Sequence, residues 1–176
     1  AMLYTSGTTG KPKGALISHK NLIANAQALT STWNWSQDDV LLHALPVFHV
    51  HGLFVGLHLP LLNGSSIIYL DKFSSKEVIK ILPKATVFMG VPTYYVRLLS
   101  DVSLTKDSCR QIRIFISGSA PLLERTSLDF KKKTGHEIVE RYGMTETGMN
   151  TSNPLRGQRK LGSVGIALEG VQTVSY

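Results

Sequence analysis

Apolar and polar positions along this chain form short blocks whose period changes repeatedly. Ala1–Thr5 reads as a strand, with Ala15–Ile17 as its partner across a polar loop. Ser18 precedes an apolar-periodic run through Leu22, Ile23, Ala26 and Leu29, the pattern of a capped helix. Asp38-Asp39 marks a turn. Val40–Leu45 is a continuous apolar run ended by Pro46, as a buried strand would be. Phe48–Leu53 leads into an apolar helix reaching Leu62, which Asn63-Gly64 stops. Ser66–Leu70 is a strand. Ser74-Ser75 caps a helix over about Lys76–Leu82, closed by Pro83. Ala85–Gly90 is another strand, and Pro92-Thr93 starts a helix containing Tyr94, Tyr95, Arg97, Leu98 and Leu99. A polar linker, Ser100–Gln111, comes before a strand at Ile112–Ile116, a turn at Ser117–Pro121 and a helix at about Leu122–Lys133 that ends at Thr134-Gly135. Glu137–Tyr142 is a strand, Gly143–Asn153 a loop. Glycine-rich hairpin sequence comes last and stops at Val174–Tyr176 in what reads as mid-strand.

Strand and helix alternate about four times, which predicts an α/β fold: a mostly parallel sheet flanked by helices. Such sheets bind ligands at the carboxyl ends of their strands. Pro46–Gly52, Gly90–Thr93, Ser117–Pro121 and Gly143–Gly148 each come after a strand, so one site lined by all four is expected.

Composition narrows the function classes. At 43% hydrophobic, the 176 residues are those of a globular chain. Nineteen basic against twelve acidic residues give +7, which suits nucleic acid, a membrane surface or small anions. Lys131–Lys133 is the longest basic run and reads as a solvated helix face, so no nucleic-acid partner is expected. Cys109 is alone, so no internal disulfide forms, and a reducing, cytoplasmic setting is expected. The apolar run near Leu53–Leu62 is too short to span a bilayer. Both ends read as cut.

Three stretches carry chemistry. Tyr4–Gly14 holds three glycines, four Ser/Thr hydroxyls and two lysines. Glycines permit a tight bend whose free N–H groups hold anions, and lysine adds a point charge suited to phosphate. It is not a Walker A loop, because Thr5 stands where the first glycine is required and Pro12 comes after Lys11. A polyphosphate cradle and a polar hairpin turn both fit. Tyr142-Gly143-Met144-Thr145-Glu146 can stack an adenine, approach it closely, bind a phosphate oxygen and ligate a cation, or it can be a loop opening a helix. Phe48-His49-Val50-His51-Gly52 offers His49 as a ligand-facing group. A core histidine or a metal ligand are the alternatives, and zinc is disfavoured because no Cys, Asp or Glu lies near.

The first string, Thr5-Ser6-Gly7-Thr8-Thr9-Gly10-Lys11-Pro12-Lys13-Gly14, resembles the phosphate loop of the acyl-adenylate-forming enzymes, and Tyr142–Glu146 resembles a second hallmark of that superfamily. Phe48–Leu53, Phe88–Tyr95 and Glu140–Pro154 are similar to malonyl-CoA synthetases, the run Arg141–Pro154 especially, and the likeness covers essentially the whole chain. The resemblance implies an acid–thiol ligase that uses ATP, Mg²⁺ and coenzyme A to activate malonate. Alternatives are a synthetase for methylmalonate, propionate or a fatty acid, or a nucleotide-binding module without catalysis. It implies that Thr5, Ser6, Gly7, Thr8, Thr9, Gly10 and Lys11 hold phosphates, with Tyr142 on adenine beside Gly143. Thr145 goes to the α-phosphate and Glu146 to Mg²⁺. Ser117, Gly118, Ser119, Ala120 and Pro121 line the adenine and acyl pocket, His49 contacts the acyl carboxylate or the adenylate phosphate, and Met144 contacts the substrate. A second substrate carboxylate needs a cation, and Arg97, near a strand–helix junction, is the candidate ahead of Arg125 and Lys72. On this resemblance residues 1–176 are a fragment of an AMP-binding N-terminal domain, inactive on its own. The ribose-binding aspartate, hinge arginine and catalytic lysine would then lie beyond the chain.

Overall fold

The structure, a computed structural model, describes residues 1–5 and 10–174. The expectations placed on Ser6, Gly7, Thr8 and Thr9, and on the strand at Ser175-Tyr176, lie outside the described residues.

Strands β1 (Met2–Thr5) and β2 (Lys13–Leu16) form a two-stranded antiparallel sheet of their own. Helix α1 (His19–Thr32) starts at a reciprocal cap. The Asn21 N–H donates to Ser18 Oγ, while the Ser18 N–H donates back to Asn21 Oδ1. Next come β3 (Val40–His43), a π-helix (His51–His58), α2 (Leu59–Asn63) and β4 (Ser66–Tyr69). Gly64, left-handed at φ 64°, ends α2. The chain continues through α3 (Ser75–Ile81), a 3₁₀ turn (Leu82–Lys84), β5 (Val87–Gly90), α4 (Pro92–Leu99), α5 (Lys106–Cys109), β6 (Ile114–Ser117) and α6 (Glu124–Thr134). It closes with β7 (Ile138–Met144), β8 (Gly148–Ser152) and β9 (Ile166–Ala167).

The larger sheet runs β4-β3-β5-β6-β7-β8-β9. The first five strands are parallel, and β8 and β9 are antiparallel additions at one edge. Successive side chains go to opposite faces. Leu41, Val87 and Ile114 therefore join Leu29, Trp33 and Val55 on the face covered by α1 and the π-helix. Leu42, Phe88 and Phe115 join Val78, Tyr95 and Phe130 on the face covered by α3, α4 and α6. Burial on both faces is why these strands read as unbroken apolar runs rather than alternating ones.

Three expectations need correction. Gly143–Asn153 is not a loop: β7 runs on to Met144, and β8 returns against it across a tight turn, with a bulge at Tyr142/Gly143. The Ser100–Gln111 linker contains α5, which Thr105 and Ser108 cap reciprocally. The Lys131–Lys133 run is not simply a solvated face: Lys133 Nζ donates to the Leu99 and Asp101 carbonyls at 2.8 and 2.7 Å, tying that linker to α6.

At the amino ends of the parallel strands, Asp39 is 3% exposed and fully partnered. Arg113 Nε and Nη2 donate to its two oxygens at 2.7 and 2.6 Å, the Thr86 hydroxyl donates at 2.7 Å and the Ser36 N–H at 2.9 Å. Arg113 also donates to the Trp33 carbonyl. Burial by itself would raise the Asp39 carboxyl; the hydrogen bonds and charge of Arg113, with Ser36 and Thr86, hold it below its ordinary range.

Candidate active site

At the opposite ends of those strands, four segments meet around a cavity of about 490 Å³. Leu45–Pro46 and His49–Gly52 enter after β3, Val91 and Tyr94 after β5, and Ser119 after β6. Arg141 and Gly143–Thr145 come from the end of β7. This is the convergence expected at the carboxyl ends of a parallel sheet.

Backbone constraints shape the segment after β3. His43, 1% exposed, accepts the Leu45 N–H at Nδ1 (3.1 Å), so its Nε2–H donates to the Gly52 carbonyl at 2.8 Å. Gly52 leaves no room for a Cβ against the Pro46 carbonyl, nor Gly56 against the His43 ring. These contacts pin the start of the π-helix to the strand and turn His51 into the site. His51 is 5% exposed, with Nδ1 3.2 Å from Ser119 Oγ. Burial, then the nearby charges of Arg141 and His43, hold its pKa well below 6.5, so the ring is neutral at pH 7. Ser119 sits at φ +70°, a left-handed conformation uncommon outside glycine.

Arg141 is 2% exposed. Burial pushes its pKa down to about 10, so it remains a cation at neutral pH. Its strand neighbour Glu140 faces the other way, accepting the Leu122 N–H at 3.0 Å. Among the described residues, Arg141 Nε and Nη2, His51 Nε2 and Ser117 Oγ are buried without hydrogen-bond partners.

The structure brings His49, Ser119, Gly143, Met144 and Thr145 to one cavity. Ser117 lies fully buried beneath it, next to Gly118, and Ala120 and Pro121 are exposed beyond the turn. Tyr142 is half-exposed outside the lining. Glu146 borders a separate 90 Å³ recess against α1. Thr5 ends β1, Gly10 is left-handed at φ +81°, and Lys11 is exposed. Arg97 is not in the lining: it is exposed, with its guanidinium 4.7 Å from the centre of the Phe73 ring. Phe73 in turn stacks on Tyr94 at 3.8 Å, one layer behind the cavity wall. Two participants carried no separate signal in the sequence. Arg141 lay inside a longer motif. Asn25 lay within a helix, yet its side chain clamps β8, donating to the Met149 carbonyl and accepting the Met149 N–H. Among the described residues, no three His, Cys, Asp or Glu side chains come close enough to hold a metal unaided. Glu146, exposed, stands apart from other such side chains as a single free carboxylate donor, and magnesium needs only one or two carboxylates when a substrate's phosphates supply the rest.

Fold and site together define a mostly parallel α/β protein with a cavity at its strand ends that includes the buried Arg141 in its lining. The chain belongs to the AMP-binding enzyme family, which matches residues 1–174. It is 46% identical to the mitochondrial malonate–CoA ligase of Mus musculus over 97% of this chain and 32% of that protein. It is 36% identical to a long-chain-fatty-acid–CoA ligase of Bacillus subtilis over 98% and 32%. Among solved structures, ATP-bound MatB from Rhodopseudomonas palustris superposes with a TM-score of 0.93 at 53% identity, over 96% of this chain and 34% of that one. A malonyl-CoA ligase holding methylmalonyl-CoA and AMP gives 0.91 at 42% identity, over 96% and 38%. The chain thus spans about a third of the length of the relatives it matches. Among the described residues, no helix is long and apolar enough to cross a membrane.

Proposed function

We propose that the protein containing this chain is an ATP-dependent acid–CoA ligase acting on malonate. Its substrate carboxylate attacks the α-phosphorus of ATP, giving acyl-AMP and pyrophosphate. The thiol of coenzyme A then displaces AMP from the mixed anhydride. The observation that carries this reading is one cavity lined both by the segment after β3, with His49 and His51, and by the Met144-Thr145 turn. Such a cavity can hold a carboxylate against an α-phosphate. In this reading Thr5 to Lys11 carry the β- and γ-phosphates and Tyr142 stacks on adenine. Thr145 donates to the α-phosphate, and His49 contacts the reacting carboxylate or the adenylate phosphate. Ser117–Pro121 and Met144 shape the acyl pocket, and Arg97 supplies a cation near it. Glu146 would hold magnesium, which neutralises charge on the transferring group.

The relatives favour malonate over a simple fatty acid, although one of them is named for long-chain acids. Another is named as mitochondrial, so the cytoplasmic expectation is to be settled by imaging the tagged full-length protein. The deciding assay is coenzyme A-dependent AMP release by the full-length protein with malonate, methylmalonate, acetate and octanoate side by side. Preference for malonate supports the reading. Preference for octanoate would keep the adenylation chemistry and discard the substrate. ATP binding without AMP release on any acid would favour a nucleotide-binding module.

A further inference from the structure

The turn that carries Thr145 and Glu146 is held from outside its own sheet. Strand β9 registers with β8 only at Thr151 and Ser152, so Met149 lies past the end of that partner. The side chain of Asn25, on α1, sits alongside Met149 instead. Its Nδ2 donates to the Met149 carbonyl at 2.8 Å, and its Oδ1 accepts the Met149 N–H at 3.0 Å. A primary amide holds a donor and an acceptor side by side, as the backbone does, and so can stand in for a strand residue. Gly148 admits it: φ is +71°, and a Cβ there would lie 2.8 Å from Asn25 Oδ1. Across the turn, the Thr147 N–H donates to the Met144 carbonyl at 3.3 Å. Thr145 and Glu146 therefore hang between the end of β7 and a backbone point fixed by α1. Asn25 and Glu146 border the same 90 Å³ recess. Helix α1 in turn follows β2 almost at once, with Ile17 and the cap residue Ser18 between them.

Resting on the ligase reading above, we propose that Asn25 is a positioning residue for adenylate formation: its amide locks the Thr145–Glu146 turn in fixed register with α1 and with the β1–β2 pair that leads into it. Asn25 acts through the turn and touches no substrate. The groups that meet the α-phosphate are then set before ATP arrives, rather than ordered by it.

The test uses the full-length protein and pyrophosphate–ATP exchange, which isolates the first step, driven by malonate or by whichever acid the wild type activates. Asn25→Asp keeps the size and the acceptor but turns a second acceptor toward the Met149 carbonyl. Because a small misplacement of reacting groups is costly, kcat should fall roughly 10- to 100-fold, with KM for the acid within about threefold. The ratio of variant to wild-type kcat should climb as pH falls, since a protonated carboxyl regains a donor. Asn25→Ala loses both groups and should be as slow, without the recovery. Independently of activity, amide hydrogen exchange over Met144–Met149 in the ligand-free protein should quicken about 10-fold in both variants, while β5 and β6 stay unchanged. Ala28→Gly is the control: it weakens the interior of α1 but keeps the Asn25 amide, and should lower the melting temperature without lowering kcat. If Asn25→Ala does not fold, Asn25→Asp carries the test. An Asn25→Asp protein that melts earlier yet keeps kcat within about twofold of wild type would overturn the proposal, since the clamp would then serve the fold alone. So would a loss of kcat with no change in amide exchange over the turn. Failure of the ligase reading looks different: wild type itself would show no pyrophosphate exchange with any acid.

Discussion

Two arginines stand at opposite ends of the same parallel strands, and they are treated in opposite ways. At the amino ends, Arg113 reaches in to Asp39, and every oxygen of that carboxylate is used. At the carboxyl ends, Arg141 is buried more deeply than Arg113, yet keeps two donors idle. All the buried side-chain atoms without partners among the described residues, from His51, Ser117 and Arg141, are at this second pole. A closed network fixes strand positions. An open one is tolerated only where something else is meant to complete it.

The largest expected effect comes from breaking the closed pole. Arg113→Ala leaves the Asp39 carboxylate buried without its cation, and urea unfolding should show a loss of about 3 kcal/mol. A stability change below about 0.5 kcal/mol would mean the two poles do not differ as described. Next is Gly143→Ala. Its Cβ would meet the Gly148 carbonyl across the β7–β8 turn, and forcing it in should cost about 2 kcal/mol in the same measurement. Arg141→Met should be the reverse of Arg113→Ala. It removes a charge that has no partner, so ligand-free stability should hold within about 1 kcal/mol or rise.

Acid titration separates the poles by window. His51 has its folded pKa depressed, so the unfolded chain binds the extra proton first and stability falls once pH drops below about 6.5. Asp39 is also depressed; its contribution is complete above its ordinary 3.8 and is lost as pH falls through the lower folded value. His51→Gln should shrink the upper window, to which the buried His43 and the partly buried His58 and His136, also depressed, still contribute, and leave the lower one. The smallest effect on stability belongs to the segment between β1 and β2, where Lys11 is exposed: Lys11→Ala should change the unfolding free energy by under about 0.5 kcal/mol while raising KM for ATP.

The contrast also explains what could be read from the sequence. The parallel strands were legible because burial on both faces leaves unbroken apolar runs such as Val87–Met89 and Ile114–Ile116. Strand β8 was not, because its buried residues include Thr151 and Ser152, which satisfy their hydroxyls on the Val164 and Asn153 carbonyls rather than by being apolar. Helix α5 is a single turn whose only signal is the Thr105/Ser108 cap. In the site, motif strings located the segments but not the depth of each side chain. Arg97 and Arg141 look equivalent as letters. On α4, Tyr95 and Leu98 face the core and Arg97 does not, whereas Arg141 points inward from a strand buried on both sides.

The π-helix at His51–His58 bears on how this site can change over time. A π-turn is an α-turn with one residue too many, its bonds running to i+5. Deleting any one residue there would let ordinary α-helical bonding return, turning the segment before it by about 100° relative to α2 and β4. His49 and His51 would swing off the cavity, and the Gly52 carbonyl would leave His43. Lineages carrying this pocket should therefore vary the identity of residues in this stretch far more freely than their number.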